Sequence, residues 1–165
     1  ATYINLGFLE QNRGNLKQAS AYYQNAARLQ PHGLADFLNQ AVDSSVLGLR
    51  EKAVETFGIV IQLEPQFWQA RYLLGLELAA EGKTGEARAQ FLEAILYRPD
   101  FAPAHLNLGM ALVQLGQLDE AERQFEATLR LNPASAKAAD CLAQTRALKK
   151  IRKCVSWWTR FQLGG

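Results

Sequence analysis

No apolar run in these 165 residues is long enough to span a bilayer, which takes about 20 in succession. A large excess of one charge is also missing. The formal net charge is +2, too small to mark the body of the chain as a nucleic-acid binder. Only two cysteines occur, Cys141 and Cys154, 13 residues apart. At about 100° per helical residue that spacing puts them on different faces, so a mutual disulfide is not expected and the redox compartment stays open. The chain starts on Ala1 rather than Met, as a processed form or an excised piece would, so a missing signal segment says little about the parent. The compartment is unknown, with the cytoplasm as default.

What charge there is lies unevenly. Lys149, Lys150, Arg152, Lys153 and Arg160 put five positive charges and no acid in the last stretch, which leaves residues 1–148 at −3 (+2 minus 5). Proline is scarce too, five in all, yet Pro31, Pro65, Pro99 and Pro133 fall 34 residues apart. Glycine keeps the same step at Gly14, Gly48, Gly82 and Gly116, and alanine at Ala19, Ala53, Ala87 and Ala121. An aromatic column follows (Tyr23, Phe57, Phe91, Phe125), and a small-residue column runs Gly7, Ala41, Gly75, Gly109. Five columns in phase over four copies mark an internal repeat.

Within each copy, apolar residues recur three or four apart on both sides of the central glycine, as in two amphipathic helices joined by a tight turn. The third copy has Tyr72, Leu76 and Ala79 before Gly82, then Ala87, Phe91 and Ile95 after it. Glycine suits the left-handed residue that closes the first helix, and proline stops the second. The spacing predicts helices over 2–13, 16–29, 35–47, 50–63, 69–81, 84–97, 103–115 and 118–131. Residues 136–161 lack Gly and Pro and carry Leu142, Leu148, Ile151, Val155 and Trp158 at helical spacing. They read as one long helix that caps the last hairpin, with 162–165 frayed.

On these columns the chain resembles the tetratricopeptide repeat family, with Leu6-Gly7, Leu74-Gly75 and Leu108-Gly109 matching its first pair and Ala26 and Ala94 its late alanine. The resemblance implies an all-α fold, a right-handed α-α superhelix of four hairpins. Its repeats would occupy 1–33, 34–67, 68–101 and 102–135, followed by the capping helix. The second repeat departs from the family at Gln40 and Ser44, which are expected at inner positions, and Val60 and Thr128 replace the late alanine.

Catalytic chemistry finds no foothold. Gly82-Lys83-Thr84 imitates the end of a phosphate-binding loop, but Glu77 stands where that loop needs a glycine and a helix where it needs a strand. An inter-helix turn is the better reading. His32, His105 and the two cysteines lack metal-ligand spacing, and no serine or cysteine sits in a nucleophile motif. Neither an enzyme activity nor a cofactor or metal is expected.

The family resemblance implies a concave wall built from the first helix of each repeat. The positions that would face its groove are Ile4, Asn5 and Phe8, then Leu38, Asn39 and Val42, then Tyr72, Leu73 and Leu76, then Leu106, Asn107 and Met110. Asn recurs at 5, 39 and 107, and an amide can donate to and accept from a peptide backbone at once. A similar ladder occurs in the O-linked N-acetylglucosamine transferases. The rest of the wall is nearly uncharged and apolar, which marks a binding surface. The family's clamp for acidic C-terminal chaperone tails needs Lys, Asn and Arg where this chain has Ile4, Phe8, Asn39, Gln69 and Leu73, so only one Asn survives.

The expected function is therefore a protein-protein interaction scaffold that holds an apolar or extended peptide segment of a partner, not an acidic chaperone tail and not nucleic acid. A self-assembling module is the alternative, as is the repeat region of a larger enzyme such as a glycosyltransferase. The basic, aromatic tail with Trp157 and Trp158 can cap the array, pair with another copy as a homo-oligomer, or rest on an anionic membrane surface.

Overall fold

The computed structural model describes residues 33–163, together with single positions 6, 10, 18, 21, 22 and 25. For residues 33, 35, 36 and 154–163 it describes the backbone alone. Most of the first repeat with Asn5 and Phe8, the side chains of Cys154, Trp157 and Trp158, and the end of the frayed tail lie outside the described residues. Every described element is a helix. In order these are α1 (Gly33–Val46), α2 (Arg50–Leu63), α3 (Trp68–Ala80), α4 (Thr84–Tyr97), α5 (Ala102–Gln114), α6 (Leu118–Leu131) and α7 (Ala136–Leu163).

The glycine column makes the tight turns. Gly48, Gly82 and Gly116 have φ of 75°, 77° and 73°, a conformation that costs a residue with a Cβ and costs glycine nothing. At Gly48 the closing bonds are Leu49 N–H to Ser44 O (2.8 Å) and Gly48 N–H to Ser45 O (3.0 Å). Gly116 repeats them, with Gln117 N–H to Leu112 O (2.9 Å) and Gly116 N–H to Val113 O (3.0 Å). This double bond pattern satisfies carbonyls that a helix end leaves open.

The proline column supplies a second tie. Arg71 Nε donates to the Pro65 carbonyl (2.9 Å), and one repeat later His105 Nε2 meets the Pro99 carbonyl at the same distance. The Nδ1 of His105 lies 2.8 Å from Gln124 Oε1, which joins α5 to α6. His105 is thus a structural strut.

The helices divide into two compact units, Ala1–Glu81 and Gly82–Gly165, each with its own core. In the first, Phe37, Ala41 and Ser44 of α1 are buried, as are Ala53, Phe57, Ile59 and Val60 of α2 and Ala70, Leu74 and Leu78 of α3. In the second, the core joins Ala87, Phe91 and Ala94 of α4 with Leu108 and Leu112 of α5, Ala121 and Phe125 of α6, and Ala138 and Leu142 of α7. Small residues let the helices close on the aromatic column. A Cβ built on Gly109 would fall 2.5 Å from Phe125 Cε1, inside any real contact.

The second repeat differs from the sequence expectation at one of its two unusual positions. Ser44 is buried, its hydroxyl donating to Gln40 O of its own helix (2.8 Å), so its burial leaves nothing unsatisfied. Gln40, expected inside, is exposed. The buried stripe of α1 runs Phe37, Ala41, Ser44, and Phe37 does the packing that Gln40 cannot. Thr56, Thr128 and Thr145 solve buried polarity as Ser44 does, each bonding the carbonyl four residues back.

The helix α7 lies antiparallel to α6, holding it through buried Ala138, Leu142 and Thr145 and through charge. Arg146 bonds Glu122 and Glu126, both at 2.7 Å, and Lys149 reaches Asp119 (2.6 Å) and Glu122 (2.5 Å). Arg152 then reaches the Gly116 carbonyl (3.3 Å), in the turn before α6 begins. With 28 residues against 14, α7 therefore runs on past the end of α6 from about Lys153.

Candidate functional site

Among the described residues, the positions expected to face a groove are half-buried or exposed. In the first unit, Leu38 and Val42 of α1 and Tyr72 and Leu76 of α3 are half-buried, and Asn39 is exposed. The two helices are tied at one end by Ser45, whose hydroxyl donates to the Glu77 carboxylate, and Arg50 of α2 stands 3.8 Å from the same carboxylate. The phosphate-loop imitation resolves in each unit as structure. Glu77 is occupied by Ser45 and Arg50, while Thr84 opens α4 with its hydroxyl donating to Gln114 Oε1 (2.9 Å).

In the second unit, Leu106, Asn107 and Met110 of α5 are half-buried. Asn107 spends one amide hydrogen on the Pro103 carbonyl of its own helix (3.0 Å), which fixes the side chain toward the helix start. Met110 does more than the sequence assigned it. With Val113, Gln114, Phe125, Cys141, Gln144, Thr145 and Leu148 it lines a cleft of about 230 Å³ between α5 and α7. No lining residue is charged. Across the 13 residues of α5 there is no Lys, Arg, Asp or Glu. Cys141 is a free thiol in this wall, and Leu148 keeps 44% of its surface open.

Sequence reasoning gave the start of α7 only a capping role and so missed its side of the cleft. One signal would have found it. A further 34-residue step from Asn107 and Met110 lands on Cys141 and Gln144, so the start of α7 continues the first-helix register although its turn glycine is gone. Among the described residues, no group of three or more His, Cys, Asp or Glu is placed to hold a metal ion.

The charged groups gather behind this face, where α6 meets α7. The Lys149 ammonium, by hydrogen bonding, holds the Asp119 and Glu122 carboxyls below their ordinary range, Arg146 adding to the effect at Glu122. The same contacts push Lys149 and Arg146 up, through Asp119 and Glu122 respectively.

Comparison with known proteins agrees with this architecture. A family model described as tetratricopeptide repeat matches residues 38–105, 72–136 and 106–150, and a second model of that description matches residues 1–32. No curated protein sequence matches. Among solved structures, a crystal structure of MamA superposes with a TM-score of 0.70 at 21% identity, covering 89% of this chain and 86% of that one. MamA from Desulfovibrio magneticus RS-1 gives 0.67 at 24% identity, over 93% and 87%. The second TPR domain of human RPAP3, solved with the HSP70 peptide SGPTIEEVD, gives 0.67 at 24%, over 71% of this chain and 98% of that one. At such identities the likeness is one of fold.

Proposed function

The chain belongs to the tetratricopeptide repeat family, and from that premise we propose that it is an interaction scaffold holding an extended, apolar-anchored segment of another protein on the open faces of its first helices. The observation that carries the reading is the uncharged cleft around Met110, Cys141 and Leu148. An apolar concavity with a few amides at its edge suits a bulky apolar side chain, while Gln114, Gln144 and the neighbouring Asn107 suit the backbone on either side of it. Methionine adds tolerance, since its flexible thioether fills whatever shape the guest leaves. That a relative of this fold was solved with a peptide supports a peptide as guest.

The chemistry of that guest differs from the relative's. Asn39, Gln69 and Leu73 put no cation at the described clamp positions, and α5 offers none. An acidic tail would give up its water for an uncharged wall, a loss without return.

Two labelled peptides test this by fluorescence anisotropy: a short uncharged one with a central Phe or Leu, and SGPTIEEVD. The uncharged peptide binds more tightly, and Met110→Glu weakens it about tenfold or more by putting a carboxylate in the apolar seat. Equal or tighter binding of the acidic peptide, or indifference to Met110→Glu, ends the reading.

A further inference from the structure

The C-terminal half of α7 has a form that capping does not explain. Its backbone stays helical to Leu163, well past Arg152, which reaches Asp119 of α6 and the Gly116 carbonyl in the turn before it. Where side chains are described, this end is two-faced. Leu148 is 44% and Ile151 60% exposed, large values for such apolar groups, while Lys150 and Lys153 are exposed as well. The sequence continues the steps with Val155 and Trp158. At about 100° per residue, Leu148, Ile151, Val155 and Trp158 fall within an arc of about 80°, and Lys149, Lys150, Lys153 and Arg160 centre on the opposite side.

Charge decides what this end suits. No acid follows Asp140, whereas Arg146, Lys149, Lys150, Arg152, Lys153 and Arg160 all do. Among these, Arg146, Lys149 and Arg152 meet Asp119, Glu122 and Glu126 of α6, and beyond Arg152 the sequence adds Lys153 and Arg160 and no acid. We propose that the C-terminal half of α7 lies in the plane of an anionic bilayer surface, with the stripe begun by Leu148 and Ile151 dipping into the lipid and the lysines reaching up to the headgroups.

The arrangement is the one an interfacial helix needs: an apolar face and a cationic face lie on opposite sides of the same stretch, and lysine stems reach from the helix toward the headgroup level. Crossing is a different matter. No described helix is long and apolar enough for it. A second copy fits the charge poorly, because pairing two such ends brings together two cation-rich stretches with no acid after Asp140 in either. An acidic protein would satisfy the lysines but not the adjoining apolar stripe. The proposal shares Leu148 with the cleft but rests on the helix beyond it and on a different ligand, and its test changes only Lys150, Lys153 and Ile151.

Co-sedimentation of the full chain with vesicles tests it. Phosphatidylcholine vesicles containing one third phosphatidylserine should pull the protein down, and pure phosphatidylcholine should not. The double variant Lys150→Gln/Lys153→Gln should weaken partitioning about 25-fold, at about fivefold per charge. Ile151→Gln should weaken it too, with circular dichroism unchanged because the side chain is mostly in water. Failure to bind the anionic vesicles, equal binding to both kinds, or indifference to both variants overturns the proposal. So does a lipid-free dimer that Ile151→Gln dissociates, which gives the face to a second copy. Poly-glutamate binding as tightly as the vesicles would likewise give it to an acidic polymer.

Discussion

At Gly109 the fold depends on an atom that is absent. Phe125 fills the space a Cβ would take, and the ring is itself fully buried, so it has nowhere to retreat. Gly109→Ala should therefore destabilise the protein by about 1–3 kcal/mol through overpacking, less up to ~1 kcal/mol regained from alanine's better helix propensity. Its register mate predicts the opposite experiment. Ala41 already carries a Cβ, fully buried like its neighbour Phe57, and Ala41→Gly should lose about 1 kcal/mol. Urea midpoints of the two variants check both signs. A stabilising Gly109→Ala would show that Phe125 yields more readily than its burial implies.

The docking of α7 on α6 is the element whose strength should respond to pH and salt. The carboxyls of Asp119 and Glu122 are held below their ordinary range by Lys149. Their contribution is full above the unfolded carboxylate values of about 4 and is lost as pH falls through the folded ones. Lys149 is shifted up, so its contribution is full below about 10.4 and is lost only as pH rises through its folded value. The pairs should thus stabilise α7 across neutral pH and release it in acid. Thermal melts at pH 7 and pH 3 should differ less for Glu122→Gln than for the wild type, and 1 M salt should lower the wild-type melt at pH 7 toward the variant's. An identical acid response in the two proteins would place the sensitivity elsewhere.

That element also marks where the sequence stops being legible. Helices α2, α4 and α6 could be bounded to the residue and α1, α3 and α5 to within two, because glycine and proline punctuate each copy at fixed steps. The rotation of a helix about its own axis has no such punctuation. Gln40 carried no sign that Phe37 would replace it in the core. Nor did Lys149 carry a sign that acids 27 and 30 residues back would hold it, since a charge pair between helices leaves no period. Met110 was named from its place in the repeat, but the cleft it helps line needed Cys141 and Leu148 from a helix whose repeat pattern breaks off halfway.

Across the whole molecule, the described helices pack on those adjacent or next to adjacent in sequence: α1 with α2 and α2 with α3 in one unit, α4 through α7 in the other. Stability in such an array is closer to a sum of local terms than to one global quantity. Leu112 of α5 is almost fully buried in the second unit, and Leu112→Ala should cost about 2–5 kcal/mol there by leaving a cavity. If each unit's core is its own, the loss should stay where it is made. Native-state hydrogen exchange should then show protection in α4, α5 and α6 falling by about 30-fold or more, while amides of α1 and α2 keep theirs to within about threefold. A uniform drop in every helix would mean that the chain opens as one cooperative body, and that a guest on the face of either unit stabilises both.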